Sequence, residues 1–321
     1  MKMTISEPAK ITRRCFGHAT IAGAASLAAT STCTAAVNGD VAEKPAGWID
    51  AHVHVWTPDV KKYPISKRFK KSDMQPPSFT AEELLKHCKP VGVDRIVLIQ
   101  MSFYEYDHSY MSEVMAANKG IFSGVALIDY QADDVVDQMK KLASQGMRGF
   151  RLHSTGNTKA WVDDLGMNKL WRNAAKEGLA VCPLINPADI PNIDALCKKH
   201  PDTTVVVDHF ARIGVNGKIK PNDLEMLCRL ARFRNTYVKT SAFYALGKKK
   251  PPYDDLIPMI RKVVDSFGPE RLMWGSDCPY QVQGDHNYES SLAVIRDRID
   301  FLSKGEIQSI LKDTADKIFF R

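Results

Sequence analysis

Between Gly47 and Arg321, eight short runs of β-branched and other apolar residues alternate with longer stretches of helical periodicity, and that alternation leaves few folds open. The runs are WIDAHVHVW (48–56), RIVLIQ (95–100), FSGVALI (122–128), MRGFRLH (147–153), AVCPLI (180–185), TVVVDHF (204–210), TYVKTSAF (236–243) and RLMWGSD (271–277). Strands separated by helices cannot form hairpins, so they pair in parallel. Eight such units in one segment predict a single (β/α)8 TIM barrel over residues 47–321. A doubly wound sheet needs fewer strands and brings a glycine-rich phosphate loop, and no G-x-G-x-x-G or Walker pattern occurs.

Local signals agree with that reading. Thr80 precedes Ala-Glu-Glu-Leu-Leu, so it can cap a helix while Glu83 completes a capping box. Helical spacing also runs over 133–142, 161–177, 190–199, 222–232 and 254–267. Two more helices, 290–302 and 305–320, with Ser303 as a cap, would close the barrel after its last strand.

The beginning of the chain has another character. Arg13 and Arg14 are followed, from Cys15 to Gly39, by a stretch without Asp, Glu, Lys or Arg. A charged head and a mildly apolar, Ala-rich body read as a twin-arginine export signal over residues 1–36, with 37–46 as a linker. The body is too weakly hydrophobic for a membrane span. The expected partners are therefore the twin-arginine export machinery and a small-molecule substrate, with no stable membrane insertion after signal removal and a periplasmic or extracytoplasmic location.

Of the formal charge of +7, residues 1–36 hold +3, and the +4 left is far from the basic stripe that nucleic acid requires. Cys88, Cys182, Cys197, Cys228 and Cys278 are widely and irregularly spaced, which argues for buried small hydrophobes rather than a disulfide framework.

Histidine positions carry the functional signal. His52, His54, His153 and His209 fall at or near the carboxyl ends of strands one, four and six, with His108 and His286 in the loops after strands two and eight. In a barrel those ends and loops build the active-site face, so six of the eight histidines beyond residue 36 are expected on one rim. His52-Val53-His54 places two imidazoles on one side of a strand, a pair suited to zinc or another divalent metal with an open position. Asp277, ending strand eight, can set a carboxylate over the same mouth. Arg151 shares the parity of His153, and Lys239 that of Ser241, so both can face the barrel and grip a carboxylate or carbonyl. Phe103, Tyr104 and Tyr106 are placed to wall a pocket, with His108 beside them.

W-I-D-A-H-V-H, G-F-R-L-H, D-H-F, V-K-T-S and G-S-D-C-P-Y, in that order on strands one, four, six, seven and eight, resemble the amidohydrolase-related proteins of the metal-dependent amidohydrolase superfamily. Within it the pattern is similar to the sugar lactonase and pyrone dicarboxylate hydrolase branch, over about residues 47–321. The resemblance implies His52 and His54 as metal ligands, Asp277 as a ligand that also takes a proton from water, and His209 completing or supporting the site. His153 becomes a group acting on the substrate or behind the ligands. No lysine on strand four is placed to bridge two metals, so one divalent ion, zinc, is expected. Cys278 stands where the branch commonly has Trp.

The function so implied is metal-dependent hydrolysis of a small cyclic ester or related carbonyl compound. Asp277 would be the general base, with His209 or His153 stabilising the oxyanion or protonating the leaving oxygen. Two alternatives use the same barrel: non-oxidative decarboxylation of an aromatic or muconate-type acid, and non-catalytic binding by an exported protein.

Overall fold

The computed structural model describes residues 47–321; the export signal and linker assigned to 1–36 and 37–46 lie outside the described residues. Eight strands form one parallel sheet in chain order: β1 (Trp48–Val53), β2 (Val93–Ile99), β3 (Phe122–Leu127), β4 (Met147–His153), β5 (Ala180–Leu184), β6 (Thr204–Val207), β7 (Thr236–Ser241) and β8 (Leu272–Gly275). The edges meet where Val53 bridges Cys278, through His54 N–H to the Cys278 carbonyl and Asp277 N–H to the His52 carbonyl, each 2.8 Å. The expected TIM barrel is therefore present. No helix among the described residues is long and apolar enough to cross a membrane.

Thr80 caps the helix Ala81–Cys88, with its hydroxyl taking the Glu83 N–H and the Glu83 carboxylate taking the Thr80 N–H. The helix Ile190–Lys199 has its predicted bounds, and the predicted 161–177 divides into Thr158–Trp161 and Leu165–Glu177, the second opened by the Asp164 cap. The chain ends in Tyr288–Arg296 and then Lys304–Gln308, a π turn Ser309–Asp313 and Thr314–Phe319. Ala315, Ile318 and Phe319 of that last segment join Ile49, Ala51, Val97, Val125, Cys182, Val206 and Met273 in one buried apolar cluster that fills the barrel. The larger cluster lies between the strands and the surrounding helices.

Seven of the eight strands stop sooner than their apolar runs, and after three of them the backbone turns left-handed within two residues. β6 ends at Val207, after which His209, Phe210, Ala211 and Arg212 all take left-handed φ of 51–58°. β7 and β8 likewise end before Ala242 (φ 57°) and Asp277 (φ 64°). Left-handed backbone costs about 1–2 kcal/mol per non-glycine residue. Its concentration after β6, β7 and β8 marks the rim where the chain is bent to present side chains inward.

Candidate metal centre and its cavity

β1 sets the centre, and it does so through an irregularity. Ile49 and Ala51 belong to the barrel's interior cluster, while Asp50 points outward, accepting the Tyr288 hydroxyl at 2.6 Å and the Ser276 N–H at 2.9 Å. Strict alternation would send His52 outward with Asp50. The pairing with β2 slips between Asp50 and Val53, and that bulge turns His52 and His54 inward. Asp50 also accepts the His52 N–H at 3.0 Å, fixing the bulge from outside, and burial raises its carboxyl to about 6.

His52 Nε2 lies 3.6 Å and His54 Nε2 3.4 Å from Asp277 Oδ1, and the three ligand atoms fall within 4.8 Å of one another. His54 Nδ1 donates to the Ile99 carbonyl at 2.9 Å, which leaves Nε2 its lone pair. His52 Nε2 is buried without a hydrogen-bond partner. Burial, then the Lys239 charge, lowers the His52 pKa well below the ordinary range. Asp277 is held far below the usual carboxylate range: burial opposes its ionisation, but His209, His52 and His54 outweigh it. Two imidazoles and a carboxylate are a divalent-metal donor set. Ligands about 2.0–2.1 Å from a tetrahedral ion stand about 3.4 Å apart, which the two histidine–Asp277 spacings match.

His209, carried by the left-handed turn, packs its ring 4.3 Å from that of His52. Its Nδ1 meets Ser241 Oγ at 2.8 Å and its Nε2 is 3.8 Å from Asp277 Oδ2, beside the three-ligand cluster rather than within it. Burial pushes its pKa down to about 4. Beneath lies a fully buried charge network: Asp208 Oδ1 is 3.1 Å from Lys239 Nζ and 3.4 Å from His52 Nδ1, and Asp208 Oδ2 is 3.5 Å from Arg151 Nε. Lys239 Nζ also lies 3.1 Å from His52 Nδ1, so Asp208 and Lys239 together hold from beneath the ring whose Nε2 faces Asp277.

Above the centre opens a cavity of about 270 Å³ lined by His54, His209 and Asp277, with His153, Arg151 and Arg212 also on its wall. Tyr244 donates its hydroxyl to Asp277 Oδ2 at 2.8 Å. Arg212 is half-buried and has no ion pair among the described residues.

Several expected positions differ. Lys239 is fully buried and paired with Asp208, so it supports His52 from below instead of meeting a substrate. Tyr104 and His108 do not line this cavity. The loop after β2 tightens into a helical turn, Ser102–Tyr104, whose aromatics pack away: Phe103 meets Trp56 at 5.4 Å and Tyr104 OH takes the Thr57 N–H at 3.3 Å. His108 lines a separate polar cleft with Asp107 and Ser112, and His286 is bound to the Tyr253 hydroxyl at 2.8 Å. Met101 and Ser102 supply that side of the cavity in their place. Sequence reading missed Asp208, Arg212 and Tyr244; of these only Asp208 left a signal, an acid ending an otherwise apolar strand.

The amidohydrolase family model matches residues 49–321, which is nearly all of the described chain. The chain belongs to the amidohydrolase family. It is 28% identical over 262 residues to a 2-pyrone-4,6-dicarboxylate hydrolase of Comamonas testosteroni, covering 78% of this chain and 82% of the relative. With an L-fucono-1,5-lactonase of Burkholderia ambifaria it shares 27% identity over 250 residues, covering 74% and 82%. An amidohydrolase of Burkholderia multivorans solved with zinc bound superposes with a TM-score of 0.70 at 19% identity, covering 86% of this chain and 99% of that one. At that identity the likeness extends to the fold.

Proposed function

We propose that this amidohydrolase opens the ring of a small lactone or similar cyclic carbonyl compound, using one divalent metal, zinc, held by His52, His54 and Asp277. The observation that carries the reading is the inward convergence of His52, His54 and Asp277, with the buried His52 Nε2 left without a hydrogen-bond partner beneath the cavity that His54 and Asp277 line. Similarity to a pyrone dicarboxylate hydrolase and a fuconolactonase supports the lactone as the substrate class. A metal bound there supplies Lewis acidity toward a carbonyl.

The chain's own groups do the rest. Asp277, ionised at neutral pH and fixed by the Tyr244 hydroxyl, accepts a proton from water. The water oxygen joins the acyl carbon, the ring carbon–oxygen bond breaks, and the proton passes to the ring oxygen, leaving a hydroxy acid. Neutral His209, steadied by Ser241, stands beside the proton's route, and His153 faces it from the rim. Arg151 is engaged by Asp208, whereas Arg212 is free to pair with a substrate carboxylate.

Metal analysis after reconstitution should find about one ion per chain, and Asp277→Asn should lose at least ~100-fold in lactone turnover while circular dichroism is unchanged. Near-full activity in that variant refutes the assignment, and release of carbon dioxide without ring opening would move the site to decarboxylation. The Arg13-Arg14 pair and the uncharged stretch after it support export to the periplasm. Cell fractionation of an Arg13→Lys, Arg14→Lys double variant should find the protein retained in the cytoplasm.

A further inference from the structure

Beside the catalytic cavity lies a second chamber of about 550 Å³, twice its size, and the two share Ser102, Arg151 and His153 as a common wall. Its own walls come from the loops after β1 to β4: Phe69, Tyr106, Leu127, Ile128, Tyr130 and Trp161. Its charged groups are already engaged, Arg68 by Glu105 and Arg151 by Asp208. A chamber without an unpaired charge, walled by aromatic and aliphatic side chains, rewards apolar surface and penalises a carboxylate. A compact lactone at Asp277 would leave it unfilled.

We propose that the enzyme is selective for lactones bearing an aromatic or extended apolar substituent, with the ring at Asp277 and the substituent passing His153 into this chamber. The proposal rests on the lactone-hydrolase reading and narrows it. Burying a phenyl-sized group in such a site favours the substituted substrate by roughly 10- to 100-fold in kcat/KM.

The test compares δ-valerolactone with its δ-phenyl derivative on the metal-loaded enzyme. Thr155 is exposed, lines the chamber and does not line the catalytic cavity, so Thr155→Trp narrows the chamber without touching the metal site. The phenyl lactone is expected to be favoured at least ~10-fold in the unaltered enzyme. Thr155→Trp should erase that preference through KM while δ-valerolactone turnover stays within about twofold. Equal turnover of both lactones by the unaltered enzyme overturns the proposal, as does equal loss for both in Thr155→Trp.

Binding gives a second readout that does not depend on catalysis. The phenyl hydroxy acid, but not 5-hydroxypentanoate, should quench tryptophan emission, and Trp161→Phe should abolish the quenching. If neither lactone is hydrolysed, the lactone reading fails. The quenching then decides the chamber separately: selective quenching supports an apolar-substituent site, and its absence refutes it.

Discussion

Gly275 on β8 lies against His52 on β1, and replacing it with alanine tests whether the barrel's closing seam positions the metal centre. The added Cβ would stand 2.8 Å from His52 Cβ, 3.0 Å from its N and 3.4 Å from its Cα. Carbon atoms pack at about 3.5–4.0 Å, so the two strands must part by roughly 0.7 Å. The neighbouring atoms are mostly backbone and cannot rotate away. Two backbone hydrogen bonds of 2.8 Å join these segments, His54 N–H to the Cys278 carbonyl and Asp277 N–H to the His52 carbonyl, and the Asp50 carboxylate adds the Ser276 N–H at 2.9 Å. Stretching either to about 3.5 Å carries it past useful length. Overpacking costs about 1–3 kcal/mol and the loss of one such bond about 1 more. Roughly 2–4 kcal/mol then lowers Tm by about 5–15 °C. His52 moves away from Asp277 Oδ1 as the strands part, so metal retention in equilibrium dialysis should fall with stability. Gly305→Ala is the control: its Cβ would meet nothing within 4 Å and it lies in the helix Lys304–Gln308, so stability should hold or rise by up to ~1 kcal/mol. Thermal unfolding followed by circular dichroism reads both variants. A Gly275→Ala protein that melts within about 2 °C of the unaltered one and keeps its metal would refute the seam's role.

Asp208→Asn should cost about 3–5 kcal/mol in urea unfolding, because it strands the fully buried Lys239 and the nearly buried Arg151 without their carboxylate. A loss under ~1 kcal/mol would show that this network carries no structural weight. Thiol chemistry gives an independent check on burial. Burial pushes Cys88, Cys182 and Cys197 up to about 12, and the thiolate is the reactive form. Raising pH from 7 to 9 should therefore leave these three unlabelled by iodoacetamide, while the half-buried Cys228 reacts first in peptide mapping. Early labelling of Cys182 in the folded protein would contradict the packing inside the barrel.

Much of the site was legible because its residues sit at or just after the carboxyl ends of strands. His52 and His54, two apart on an apolar run, share a side that the bulge turns inward, and Asp277 follows β8 by two residues. The loops were less legible. Tyr104 and His108 looked like cavity residues by position alone, but after a tight turn that no local motif announced Tyr104 packs on Tyr110 and takes the Thr57 N–H, while His108 lines a separate cleft. Lys239 had the right parity and the wrong depth, since parity tells which side a residue faces and not how far down the barrel it lies.

Alternation and helical spacing over short ranges already specify eight parallel strands and a barrel, and the strand-end motifs with their resemblance single out His52, His54 and Asp277. Tertiary contacts settle the rest: a bulge against β2 turns His52 inward, Asp208 and Lys239 brace it from beneath, and an apolar chamber adjoins the cavity. Each of these depends on contacts between segments far apart in the chain, where the competition among partners is settled by packing rather than by any local preference.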